Sequence, residues 1–259
     1  MELDLLTLLG LALIGLIAGT VDSIAGGGGL ISVPALLATG MPPASALGTN
    51  KLQSSFGAFS ATRYFFKQGL IDLTTMRPAI ICTFIGSALG TLTVQSLDNH
   101  LLSKALPFLL IGFAVYFLFS PKLNDQGSQQ KIKVTTFGFL IGGSIGFYDG
   151  FFGPGTGSFF AIAFISLLGF GITKATANTK LLNLTSNIAA LLFFALGGHI
   201  VWTVGLAMAT GQIIGGRIGS GLVVKKGVTV VKPLLVTVSI VMSLRLIQQN
   251  YPDFFSWPF

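Results

Sequence analysis

The sequence predicts an all-α, polytopic membrane protein of about ten helical segments, arranged as two inverted repeats of five. Three observations predict it. The 259 residues are 52% hydrophobic and only 9% charged, with 34 Gly and a mean hydropathy of +0.82, where soluble domains carry about 25% charged residues. Apolar runs broken at Gly, Pro and charge clusters follow one another along the chain, and at about 20 residues per crossing ten spans would take roughly 200 residues. No separate soluble domain fits. Lastly, the second half repeats the first.

The segments fall near 4–22, 28–40, 46–67, 74–97, 101–119, 133–150, 155–170, 174–197, 200–223 and 229–248. The first lacks a basic n-region, since Glu2 and Asp4 precede it, so it is expected to stay as a helix and not to be cleaved as a signal peptide. The second and seventh are too short for a full crossing at 1.5 Å per residue. They must start inside the membrane or tilt little.

If all ten segments cross, one side of the membrane collects Arg63, Lys67, Arg77, Lys122, Lys131, Lys133, Lys174, Lys225, Lys226 and Lys232, and the other only Lys104 and Arg245. The positive-inside rule makes the first side cytoplasmic and puts both termini outside a cytoplasmic (inner) membrane. Counting either short segment as re-entrant spoils this bias. The polar stretch Ser120 to Lys131 reads as a cytoplasmic linker. The expected division is therefore a first repeat at 1–119, a linker at 120–132 and a second repeat at 133–259.

The net charge of +7 would raise nucleic acid in a soluble protein. Here the basic residues sit singly between apolar runs, which suits orientation and contact with anionic lipid, and no nucleic-acid partner is expected. The single Cys82 excludes an internal disulfide and a Cys-based zinc site. His100 and His199 lie in loops without companions. No nucleophile, base and orienter cluster is visible, so the reading is not an enzyme and needs no cofactor or metal.

The repeat is specific at several positions. With an offset of 127, Gly15, Gly19, Asp22, Gly26 and Gly28 fall on Gly142, Gly146, Asp149, Gly153 and Gly155. With an offset of 129, Gly40, Ala46, Lys51, Leu52, Gly69, Ile71, Gly86 and Gly90 fall on Gly169, Ala175, Lys180, Leu181, Gly198, Ile200, Gly215 and Gly219. Five segments per half is an odd number, so the second half enters the membrane inverted. Inverted repeats with short, Gly- or Pro-interrupted segments mark secondary transporters, whose substrate site lies at the repeat interface near mid-membrane.

The two breaks are DSIAGGGG (Asp22 to Gly29) and DGFFGPGTG (Asp149 to Gly157). A glycine run that opens a helix presents free N–H groups at the positive end of the macrodipole, which suits an anion. Gly26, Gly27, Gly28 and Gly29 with Gly153, Pro154 and Gly155 are candidate halves of an anion cradle; the alternative is tight helix packing, expected also at Gly138, Gly142, Gly146 and Gly150 and at Gly211, Gly215 and Gly219. Neither run ends in Gly-Lys-Ser/Thr, which excludes a P-loop.

The third and eighth segments begin ALGTNKLQSS and ATANTKLLNLTSN. Each puts a lysine inside an apolar helix at a cost of roughly 2.5 to 3.5 kcal/mol, either snorkelling to headgroups or facing a polar site. Thr176, Lys180, Asn183 and Asn187 make one polar stripe. Asp22 and Asp149 are expected to pair with Lys51 and Lys180, to cap the short helices, or to take up protons. Arg217 is expected as a third buried cation. With both lysines and both aspartates it would give a cavity of charge +1, which a monoanion neutralises.

At these motifs the sequence resembles the TauE/SafE family of sulfite exporters, through Val21 to Phe65 and through Gly146 to Asn187. The resemblance covers essentially the whole chain. It implies export of sulfite or small organosulfur anions such as sulfoacetate, and carries the family's motifs onto Gly26 to Gly29, Thr49, Asn50 and Lys51, and onto Gly153, Pro154, Gly155, Asn178, Thr179 and Lys180. The second half reads Asn-Thr-Lys where the first reads Thr-Asn-Lys, so the half-sites need not make equal contacts. The reading is a secondary transporter of a small oxyanion, with Asn183 added to the site, working by alternating access with protons as candidate coupling ions. The alternatives are an anion channel and a non-catalytic membrane assembly protein. Partners are the small anion and the bilayer, and glycine surfaces such as Gly211 to Gly219 pack within one subunit or between two.

Overall fold

The computed structural model describes residues 4–119 and 128–226; the tenth segment, Trp257 and most of the linker lie outside them. The described residues form helices and connecting turns, with no strand among them. In order they are α1 (Leu5–Ala25), α2 (Gly29–Ala38), α3 (Pro43–Lys67), α4 (Leu73–Gln95), α5 (Asn99–Phe119), α6 (Val134–Phe137), a π-turn (Gly138–Gly142), α7 (Gly143–Phe151), α8 (Thr156–Leu168), α9 (Ile172–Leu196) and α10 (Trp202–Lys226). The protein is a polytopic helical membrane protein. Helices α1, α4 and α9 are long and apolar enough to cross a bilayer, while α2 and α8 are shorter apolar helices of 10 and 13 residues. At 1.5 Å per residue these reach about 15 and 20 Å, short of a hydrocarbon core of about 30 Å.

The sixth segment departs from a plain helix. Its π-turn lies where Gly138 and Gly142 press against α4, a Cβ on Gly138 falling 2.7 Å from Ala79 N. The glycine ladder continues to Gly146 and Gly150, whose Cβ positions lie 2.6 and 2.0 Å from the carbonyl oxygens of Thr83 and Ser87. Gly211, Gly215 and Gly219 on α10 approach the backbone of Ala12, Leu16 and Thr20 on α1 in the same way. These glycines serve close helix packing within one chain, as small residues do in membranes.

Helix pairing repeats between the halves. Helix α1 packs chiefly on α10, and α7 chiefly on α4; α3 packs on α10, and α9 on α4. Each half therefore lends its fourth segment to the other half's first and third. The backbone repeats too. Of the seven positive-φ glycines among the described residues, six form the pairs Gly26 and Gly153, Gly40 and Gly169, Gly69 and Gly198, all equivalent by the sequence offsets. Only glycine enters this region without strain, so the turns that end equivalent helices share one geometry.

Candidate functional site

Helix α1 stops because Gly26 turns left-handed at φ 73°, its N–H donating to Asp22 O. Asp22 thus lies in the last turn of α1, and its Oδ1 accepts from the N–H of Gly28, at the start of α2, at 3.2 Å. In the second half Gly153 and Gly155 take φ 97° and 88°, and α8 begins at Thr156. The two breaks meet. A Cβ on Gly26 would fall 2.3 Å from Gly157 Cα, and one on Gly29 would fall 3.1 Å from Pro154 Cα, so the connections cross in backbone contact. Ser158 seals the crossing by donating its hydroxyl to Ala25 O. Among the described residues the N–H groups of Gly29 and Gly157 have no hydrogen-bond acceptor, as expected for helix N-termini.

Two ion pairs flank this crossing, each joining opposite halves. Lys51 on α3 donates to Asp149 Oδ1 at 2.9 Å, and Lys180 on α9 donates to Asp22 Oδ2 at 2.8 Å. Both lysines are 1% exposed, so neither snorkels. Their surroundings differ. Asp149 also accepts from the Ser186 hydroxyl and shares the single Thr156 hydroxyl proton, at 2.8 Å, with Gly153 O at 2.6 Å, and its side chain is 5% exposed. The Asp22 side chain holds two donors and is 22% exposed. Gly153 has to be glycine on two counts, its φ and a Cβ that would stand 2.8 Å from Lys51 Nζ. The aspartates therefore both pair and, in Asp22, cap.

The other expected residues divide. Asn183 is buried, and its Oδ1 has no partner; the same holds for Thr179 Oγ1 and for Gln53 Oε1. Around α9, Asn183 lies about 60° and Thr179 about 100° from Lys180, whereas Gln53 lies about 200° around α3 from Lys51. Buried orphan polar atoms are rare enough in proteins to mark a place for a ligand or water. Asn50 accepts through Oδ1 from Ser32 on α2 and from Gln53, both at 2.6 Å. Thr49 and Asn178 face away. Each precedes its lysine by two residues, about 200° around the helix. Thr49 Oγ1 accepts from Val201 N at 3.0 Å, and Asn178 Nδ2 donates to Leu70 O at 3.3 Å and to Lys174 O at 2.8 Å. These equivalent positions hold the loop after the other half's long helix.

Arg217 corrects the expected charge sum. It is exposed, and its guanidinium stacks 4.0 Å over the Tyr64 ring in a groove shared with Arg63 and Lys67. Helix α10 turns that face outward while Gly215, Gly216 and Gly219 take the packed side. The central cluster is then Lys51 and Lys180 against Asp22 and Asp149, which is neutral. Sequence reasoning missed Thr156, Ser186, Ser32 and Gln53. Thr156 was signalled by lying inside the second break and Ser186 by lying one turn from Asn183, but single hydroxyls in membrane helices commonly bond their own backbone.

The family described as Sulfite exporter TauE/SafE matches residues 11–246. A probable membrane transporter protein of Haemophilus influenzae is 48% identical over 245 residues, covering 95% of each chain. The probable membrane transporter protein YfcA of Escherichia coli K12 is 48% identical over 92% of this chain and 88% of its own. A more distant relative, the probable membrane transporter protein YunE of Bacillus subtilis, is 25% identical over 93% of this chain and 97% of its own. No solved structure gives a significant match.

Proposed function

This chain belongs to the sulfite exporter TauE/SafE family of membrane transporters, and we propose from that premise that it exports a small oxyanion, sulfite or an organosulfonate, across the cytoplasmic membrane with both termini outside. One observation carries the reading: two reciprocal Lys–Asp pairs flank the crossing of two glycine-broken helix starts. The N-termini of α2 and α8 supply N–H donors and positive dipole ends. Lys51 and Lys180 supply charge. Thr179 and Asn183 supply polar atoms awaiting partners.

The neutral cluster sets the mechanism. An anion that takes a lysine must displace its carboxylate, and a displaced buried carboxylate without a partner is costly. Protonation of that carboxylate removes the cost. A monoanion then travels with one proton and a dianion with two, so the site stays neutral through alternating access. Asp22 is the better placed for proton exchange, being the more exposed carboxylate.

The test is counterflow of labelled sulfite in proteoliposomes, with sulfoacetate, taurine, sulfate and acetate as unlabelled competitors. Saturable exchange blocked by sulfonates is the expected result. No exchange with any of these anions, in folded protein, would overturn the sulfur-anion reading. Flux that shows neither saturation nor counterflow would replace the carrier by a channel.

A further inference from the structure

Away from the crossing, α3 and α10 enclose a groove of about 520 Å³ on the outer face of the bundle. Its chemistry changes along its length. Phe56, Phe59 and Ile213 line one end, while Arg63, Lys67 and Arg217 line the other, near the C-terminal end of α3. On α3 the lining positions 56, 59, 60, 63 and 67 recur every three or four residues, one stripe of about 16 Å. Within it the helices are tied together by Ser60, which donates to Ile213 O at 2.8 Å. No carboxylate lines the groove, and no ion pair to Arg63, Lys67 or Arg217 is present among the described residues.

Three cations converge without a counter-charge. Packing does not require them, because their equivalents in the other half are Leu192, Leu196 and Ala88, where α9 and α4 pack in the same way. An orientation signal accounts for Arg63 and Lys67, near the C-terminal end of α3, but not for Arg217. Such a signal needs charge in a loop or near a helix end, whereas Arg217 lies nine residues before the end of α10, stacked on Tyr64. We propose that the groove binds one anionic phospholipid, its phosphate held by Arg63, Lys67 and Arg217 and an acyl chain lying along Phe59, Phe56 and Ile213. Basic pockets between membrane helices recognise acidic headgroups in this way. Because the halves are inverted and only one carries the cations, the site serves a single leaflet, the one whose loops are rich in Lys and Arg.

The experiment is native mass spectrometry of the full chain in mild detergent, titrated with phosphatidylglycerol and with phosphatidylethanolamine of the same acyl chains. Phosphatidylglycerol is expected to bind more tightly, and Arg217→Gln alone and Arg63→Gln/Lys67→Gln together to lower its affinity roughly fivefold per cation removed, with phosphatidylethanolamine unaffected. Lys131→Gln/Lys133→Gln is the charge-matched control and keeps the preference. Ile213→Trp fills the groove with the cations intact, and should weaken phosphatidylglycerol too; it decides the matter if the charge variants fail to fold. Equal affinity for the two lipids, or a preference unchanged in both Arg217→Gln and Ile213→Trp, would overturn the proposal. So would displacement of the lipid by inorganic phosphate at comparable concentration, which would make the groove a soluble-anion site. A change of subunit number in place of lost lipid would make it a protein interface and overturn the proposal equally.

Discussion

Replacing Lys51 by Met separates the structural from the transport role of the ion pairs. The substitution keeps most of the side-chain volume but leaves Asp149 buried with two hydroxyl neighbours, Ser186 and a Thr156 whose proton is shared with Gly153 O. Removing one partner of a buried pair costs about 3 to 5 kcal/mol, and the two remaining donors put Lys51→Met near the low end, about 3 kcal/mol. Lys180→Met strands a carboxylate that is more exposed, so water offsets part of the loss and the cost falls below that of Lys51→Met. The double variant Lys51→Met/Asp149→Asn removes the stranded charge and should recover about 2 kcal/mol or more. Equilibrium unfolding in mixed micelles of rising SDS fraction, followed by circular dichroism, reads all four corners of the cycle. Sulfite counterflow in the same proteins is expected to vanish in every variant, the restored one included. Additive stabilities within about 0.5 kcal/mol would refute the pair as a coupled unit, and full flux in Lys51→Met would remove it from the site.

Asp22→Asn keeps a hydrogen-bonding group toward Lys180 but cannot exchange a proton; exchange of labelled anion should persist while flux driven by a pH gradient is lost, and retained pH-driven flux would move coupling elsewhere. Thr49→Val leaves the half-buried Val201 N–H without its acceptor and should cost about 1 kcal/mol of stability with no change in the KM for the anion; a raised KM would return Thr49 to the binding site. Gly153→Ala should abolish counterflow, since its Cβ meets Lys51 Nζ and its φ is positive, and a wild-type rate would refute the close packing at the crossing. Gly150→Ala drives a Cβ to 2.0 Å from Ser87 O and should destabilise by about 1 to 3 kcal/mol, checked in the same SDS titration.

Much of this was legible before any coordinates. The Asp and Lys offsets anticipated which residues are equivalent, and the glycine breaks anticipated where α1 and α7 stop. The partners were not legible. Repeat arithmetic places Asp22 and Asp149 at equivalent positions, but whether each pairs within its half or across depends on how α3 and α9 pack, and that is a tertiary property. Arg217 shows the same limit. Its place in an apolar run suggested burial, yet with 3.6 residues per turn one face of α10 is glycine against α1 and another faces outward, and the run alone does not say which face a residue takes. Thr49 and Asn178 turn away from their lysines for a local reason, since two residues along a helix are about 200° around it.

The difference between the two carboxylates bears on how the symmetry is used. Asp149 has a lysine and two hydroxyls, one of them shared with Gly153 O, while Asp22 has a lysine, one backbone N–H and access to its surroundings. Part of this is fixed in sequence: by the 129 offset Ser186 falls on Gly57, so Asp22 has no equivalent hydroxyl to accept from. Part is conformational. In an inverted-repeat carrier the opposite-facing state arises when one repeat rocks against the other about the fixed site, and the more open environment then passes from one half-site to the other. On the alternating-access reading exposure exchanges between the aspartates, but the hydroxyl set does not. When Lys51 leaves, Asp149 keeps hydroxyl partners from Thr156 and Ser186, whereas Asp22 without Lys180 keeps one backbone N–H and its access to the surroundings. On the transporter reading, the two lysines therefore give an anion two half-sites with unequal carboxylate partners.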